Sequence, residues 1–250
     1  MMATPVTRVA SLTMEELATA LGAGRWLLLP FGTVEAHGAH LALGADLIDA
    51  ARICGAVAER VGGLVAPGFP YGVCRTMRNF PGTVSLSAAT FTAAVREVVR
   101  EYVRHGARRL ALYSGHAEPA QLEALREAVL PIADTEPVVA ILVVGPYAFL
   151  DAVREAAGLT GRDGHAASLE TSTLLALDPG TVRLDRIPDV RERPRLSVFR
   201  VAAHPETEFP RAVRGDTSRV SHDLGQRAVE HVVAEFSALL ERVARTGREW

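Results

Sequence analysis

Short apolar runs and helix-spaced apolar stripes alternate along this chain. The run Trp26-Leu-Leu-Leu-Pro-Phe31 is apolar at successive positions, as expected of a strand buried on both faces in a parallel sheet. Arg109 to Tyr113 and Val138 to Val144 have the same character, and Leu64 to Pro67 reads as a shorter strand. Helices are predicted between them. Thr13-Met-Glu-Glu16 has the spacing of a capping box and opens a helix to about Leu21. Ile48, Ile53, Val57 and Val61 form one stripe over Leu47 to Val61, stopped by Gly62-Gly63. Ala88 to His105 is amphipathic and ends at Gly106, with His105 as its C-terminal residue. Pro119 opens a further helix to Leu130, at a first-turn position where its missing amide hydrogen costs nothing. Tyr147 to Ala157 reads as helical, a helix headed by residues 161–172 runs through Leu177, and Ser221 to Ala244 closes the chain. Leu196 to Ala202 reads as an edge strand. Strands alternating with helices predict one α/β domain over residues 1–250, a three-layer α/β/α arrangement with a largely parallel central sheet.

Composition narrows the classes of function. A formal charge of -2 gives no electrostatic reason to expect nucleic acid, so the expected partner is a small molecule. No run approaches the roughly 18 apolar residues needed to span a bilayer, and Met1 to Leu12 lacks the order of a secretory signal. A cytoplasmic location is the expectation, with no membrane partner. Cys54 and Cys74 are too few for a disulfide framework, and both read as packing residues.

Candidate chemistry is concentrated after the first and third buried strands. Beyond Phe31, the twelve residues from Glu35 to Asp46 hold two carboxylates and the imidazoles of His37 and His40. Glu35 and His37 are two apart, so an extended chain projects both from one face. After Tyr113 the same spacing recurs in reverse as His116 and Glu118. Carboxylates and imidazoles in such pairs suggest a metal site, and ligands of parallel sheets bind beyond the carboxyl ends of the strands. Each residue taken singly also has an ordinary reading: Asp46 as a helix N-cap, Glu118 as a first-turn charge, Glu35 and His37 as loop polarity. Gly68 to Ser87 is a long loop carrying Arg75, Arg78 and Phe80-Pro-Gly-Thr83, and such loops tend to be functional.

The segment Glu-x-His-Gly-x-His-Leu-x-Leu-Gly-x-Asp at 35–46 resembles the signature of the creatininase family of metal-dependent amidohydrolases. Phe80-Pro-Gly-Thr83, Gly115-His116 with Glu118, His165-Ala166 with Glu170-Thr-Ser172, and Gly215-Asp216 resemble further family segments, so the likeness runs over most of the chain. It implies a creatininase-like fold and a binuclear site, with Glu35, Asp46 and His116 on one ion and His37, Asp46 and Glu118 on the other. The ions would be Zn or Mn, two per subunit, sharing a water that attacks an amide. His165 is the candidate to protonate the departing nitrogen, with Glu170 orienting it or lying just behind the metal ligands, and both Glu170 and Glu118 are counted with the catalytic groups. His40 belongs to the motif but not to this ligand set and reads as structural. Arg75, Arg78 and Arg162 are candidates to bind an anionic group of the substrate.

The implied activity is hydrolysis of a non-peptide C–N bond, in an amide, lactam or formamide, by a homo-oligomer that the family forms as a hexamer. Creatinine itself does not follow, because creatininase has tryptophans near its substrate, whereas Trp26 and Trp250 lie in the first strand and at the last residue. Two other readings stand beside it: a metal-dependent peptidase trimming a small precursor peptide, and a non-catalytic small-molecule-binding protein on the same fold.

Overall fold

Five strands pair in parallel in the order β1-β3-β2-β4-β5: β1 (Thr7–Arg8), β2 (Leu27–Phe31), β3 (Leu64–Val65), β4 (Arg109–Ser114) and β5 (Ala140–Val144). This computed structural model describes residues 7–191 and 203–246. Register runs from Leu27 opposite both Leu64 and Leu110 to Phe31 opposite Ser114, so the ends of β2 and β4 are level. Seven helices are described: α1 (Met14–Gly22), α2 (Ala45–Val61), α3 (Ala88–Arg104), α4 (Pro119–Thr135), α5 (Asp151–Ala156), α6 (Ser168–Leu177) and α7 (His222–Thr246). None of them is long and apolar enough to cross a membrane.

Strand alternation divides the interior into two cores, which is the physical content of the three layers. Leu28, Val65, Ala111, Tyr113 and Val144 face α2 and α7, against residues such as Ile53, Val57, Val232 and Phe236. Leu27, Leu29, Phe31, Leu64, Leu110 and Leu112 face the other way, onto Leu21 of α1, Phe91 and Val95 of α3 and Leu125 of α4. Each such side chain, fully buried, contributes on the order of 1.5–3 kcal/mol. The chain leaves β2 through α2 toward β3 on one side, then returns through α3 to β4 on the other. The loops after β2 and β4 therefore diverge around a crevice at the carboxyl end of the sheet.

Local expectations are met unevenly. Thr13 and Glu16 do form a capping box, the Thr13 hydroxyl accepting from the Glu16 amide while the Glu16 carboxylate accepts from the Thr13 amide. The helix expected to stop at Leu130 continues through Pro131 to Thr135, because Ile132 is buried against the second core and outweighs the one lost backbone bond. The helix expected over 147–157 shrinks to α5, with residues 145–150 forming turns. The two-residue β1 carries no sequence pattern of its own and is formed by pairing with β3. The edge strand expected over 196–202 lies outside the described residues.

Candidate metal centre

Glu35, His37, Asp46 and His116 are all buried where β2 and β4 end. Asp46 lies in the first turn of α2, but Gly44 is the N-cap and no side chain caps the helix. The N-cap reading of Asp46 is thereby overturned. Its Oδ1 lies 3.2 Å from His37 Nε2 and its Oδ2 3.2 Å from His116 Nδ1, and the Thr33 hydroxyl donates to the same carboxylate. Glu35 Oε2 lies 2.9 Å from His116 Nδ1.

Backbone contact sets these distances. Gly115, the first residue past β4, packs directly on the first turn of α2, where a Cβ would overlap the Asp46 carbonyl. Any side chain there separates His116 from Asp46.

Both imidazoles are oriented from behind. His37 Nδ1 lies 3.0 Å from the Glu35 carbonyl and His116 Nε2 3.2 Å from the Val73 carbonyl. A carbonyl only accepts, so each of these nitrogens carries its hydrogen, and the opposite nitrogen faces the carboxylates. That geometry requires a proton or a cation between ring and carboxylate. Burial by itself depresses an imidazole's pKa, but Asp46 and Glu170 around His37, and Glu35 and Asp46 around His116, hold both rings well above their ordinary value. Asp46 is held well below the usual carboxylate range: burial opposes this, and His37 and His116 outweigh it.

Glu170, in the first turn of α6, reaches this group, with Oε1 3.4 Å from His37 Nε2 and Oε2 accepting from the Ala166 amide at 2.5 Å. Glu118 does not. Its carboxylate accepts from the backbone amides of Arg75 (2.8 Å) and Thr76 (3.3 Å) and comes no closer than 3.8 Å to His116 Nε2. Among the described residues, three sets of donor atoms lie within 4.8 Å of one another: His37, Asp46 and Glu170; Glu35, His37 and His165; Glu35, Cys74 and His116. Glu170, rather than Glu118, is the carboxylate that this structure groups with His37 and Asp46.

His165 Nε2 donates to the Ala36 carbonyl at 2.8 Å, with its ring 4.3 Å from that of His37. His40 is buried, its Nε2 within 3.1 Å of both the Ala166 carbonyl and the Thr171 hydroxyl, where it steadies the head of α6. A cavity of about 990 Å³ opens over the cluster, with Met77, Tyr147, Arg154, His165 and Arg214 on its walls. None of the three arginines singled out in the sequence lines it. Arg75 is exposed, Arg78 contacts the Ala203 carbonyl, and Arg162 is ion-paired with Asp216. Arg154 does line it, stacked 4.2 Å from the Tyr147 ring centroid and paired with buried Asp163 at 3.3 Å. Sequence reasoning passed over Arg154, Tyr147 and Cys74 because short helices and loops carry no periodicity to flag them.

Asp49, one turn along α2 from Asp46, is a further, half-buried acid that the sequence did not mark. The Tyr113 hydroxyl donates to its Oδ2 at 3.3 Å, and burial, followed by the charges of Glu170 and Asp46, pushes its pKa up to about 7. A carboxyl whose folded pKa exceeds its unfolded value costs stability as pH rises from about 4 to 7, because the unfolded chain ionises first. Asp49→Asn keeps the acceptor for Tyr113 without the charge. It is expected to be more stable than the parent by about 1–3 kcal/mol at pH 8, with the gap closing toward pH 4. Urea melts at the two pH values test this, and a gap that does not grow with pH refutes it.

Known proteins resemble this chain over most of its length. The family profile described as "Creatininase: Creatinine amidohydrolase" matches residues 10–240. A creatinine amidohydrolase of Pseudomonas putida is 36% identical over 224 residues, covering 81% of this chain and 78% of that protein. A mycofactocin precursor peptide peptidase of Mycobacterium ulcerans (strain Agy99) is 32% identical over 237 residues, covering 88% and 84%. Among solved structures, a manganese form of creatininase superposes with a TM-score of 0.83 at 31% identity, covering 95% of this chain and 98% of that one. A zinc–zinc form of a creatininase mutant gives a TM-score of 0.83 at 30% identity, covering 96% and 98%.

Proposed function

The chain belongs to the creatininase family, and from that premise we propose that it hydrolyses a non-peptide C–N bond in a small amide, lactam or formamide at a centre of two divalent ions. The observation that carries this reading is the pair of buried imidazoles, each tied to a backbone carbonyl through one nitrogen and turned onto shared carboxylates through the other. Glu35, Asp46 and His116 would hold one ion, and His37, Asp46 and Glu170 the other, with Asp46 common to both. Imidazole and carboxylate donors suit zinc or manganese, the metals of the related creatininase structures. Bound there, such ions supply Lewis acidity and lower the pKa of water toward neutrality.

The remaining groups divide the proton transfers. Glu118, its carboxylate aimed by the amides of Arg75 and Thr76 and standing on the cavity wall, is the base for the attacking water. His165 keeps Nε2–H on the Ala36 carbonyl, which leaves Nδ1 to take up a proton and deliver it to the departing nitrogen. In protein purified without chelator and resupplied with zinc or manganese, metal content is expected near two per chain. Glu170→Gln should fall toward one. Glu118→Gln and His165→Ala should keep both ions while kcat drops about 10²–10⁴-fold. A parent that takes up no stoichiometric metal overturns the proposal.

A second reading, a peptidase trimming a small precursor, is supported by the likeness to a mycofactocin precursor peptide peptidase, and the cavity has room for either substrate. At about 990 Å³ it stands at the upper end of the roughly 300–1,000 Å³ usual for small-molecule sites. Mass spectrometry of products from a panel of amides, lactams, formamides and short peptides separates the two. A homo-oligomer is part of the same proposal, and sedimentation velocity reads it.

A further inference from the structure

We propose that Cys74 is a ligand of the ion held by Glu35, Asp46 and His116, making that position a sulfur-bearing site that selects zinc over manganese. The inference rests on the two-ion reading above. The two cysteines of the chain are both free and buried, yet they sit in different surroundings. Cys54 packs in the apolar core between α2 and the sheet, whereas Cys74 belongs to none of the apolar clusters. Its Sγ lies within 4.8 Å of both a Glu35 carboxylate oxygen and a ring nitrogen of His116. Donors bound to one zinc at about 2.0–2.3 Å stand up to about 4 Å apart, so a shift of less than about 1 Å on binding brings the sulfur to the ion that Glu35 and His116 would share.

The backbone around Cys74 delivers it there. The Val73 amide donates to Gln121 Oε1 at 2.9 Å and its carbonyl accepts from His116 Nε2 at 3.2 Å. The Cys74 amide donates to the Ser85 hydroxyl at 2.9 Å, and the Arg75 amide to Glu118 at 2.8 Å. Three successive residues are thus pinned, two of them to the segment that carries His116. The thiol between them is fully buried. When sulfur takes the ion, the S–H bond breaks, the sulfur–metal bond forms and the proton leaves to solvent. A thiolate is a soft ligand that favours zinc and cobalt over manganese, which prefers oxygen.

The test replaces the native ions with Co²⁺ in the full-length protein. Thiolate bound to cobalt gives a charge-transfer absorption in the near ultraviolet that carboxylate and imidazole ligands do not. The band is expected in the parent and in Cys54→Ser, and absent from Cys74→Ser, with cobalt stoichiometry kept in all three. In zinc–manganese competition, Cys74→Ser should lower the zinc to manganese ratio at least about tenfold. Cobalt bound at full stoichiometry without the band in the parent overturns the role of Cys74 and leaves the two-ion reading standing. Failure to bind cobalt, zinc or manganese overturns both. If Cys74→Ser does not fold, the band in Cys54→Ser decides alone, because Cys74 is then the one remaining thiol.

Discussion

Asp46→Asn is expected to empty both ion positions at once, whereas replacement of Glu35 or Glu170 should disturb only one. The reason is geometric: the two oxygens of Asp46 are divided between His37 and His116, each 3.2 Å away. Loss of a group that merely orients a metal ligand costs about 10–100-fold in affinity, so loss of a shared ligand should exceed that at both positions. Metal content should fall well below one per chain and turnover by at least about 10³-fold. Elemental analysis beside an activity assay reads both, and retention of a full ion in Asp46→Asn excludes the shared arrangement.

The same substitution has a signature in pH. In the metal-free parent, the raised pKa values of His37 and His116 give stability that is present below about 6.5 and lost as pH rises through the raised values. The depressed pKa of Asp46 gives stability that is present above about 4 and lost as pH falls through the depressed value. The chelated parent should therefore be most stable between these limits and weaken in alkali, while the metal-loaded protein does not, because the ions replace the ring protons. Thermal melts at pH 6 and pH 9, with and without chelator, compare the two. Asp46→Asn should show little response to added metal at either pH.

Gly115→Ala should be among the more damaging single methyls that the described residues could take, and it falls at the candidate site. The new Cβ would meet backbone, the Asp46 carbonyl at the start of α2, and not the movable end of a side chain. Overpacking in a close-packed interior costs about 1–3 kcal/mol where side chains can yield, and a clash of backbone on backbone lies at or above the top of that range. The displacement falls between Asp46 and His116, so metal affinity should drop together with stability. Chemical denaturation and metal titration of the same variant check the pair of effects. A variant as stable as the parent, with both ions, would contradict the packing.

Periodicity made much of the architecture legible. The apolar run of β2, the runs of β4 and β5 and the stripes of α2, α3 and α7 report burial on one or two faces, and burial is a local property of the residue pattern. The α/β class and the placement of Glu35 and His37 after one strand, with His116 after another, follow from that pattern. The spacing from Glu35 to Asp46 likewise carried the family resemblance. What a local pattern does not contain is distance across the fold. The resemblance set Glu118 beside His37 and gave Glu170 a role next to His165. Only the return of α6 over the end of the sheet brings Glu170 within 3.4 Å of that ring, while the loop after β3 claims Glu118 through two backbone amides.

The three loop arginines were reasonable anion binders by composition, yet folding pairs Arg162 with Asp216 and brings Arg154 and Arg214 to the cavity in place of all three. Cys74 and Cys54 could not be told apart by sequence, since a small apolar side chain in a loop and one on a helix both read as packing. The sequence by itself determined which segments are buried and which carry ligand chemistry, because hydrophobic pattern and side-chain type are written residue by residue. The tertiary structure decided which of those ligands meet, because that depends on where strand order reverses and on contacts as close as Gly115 against Asp46, which join residues far apart along the chain.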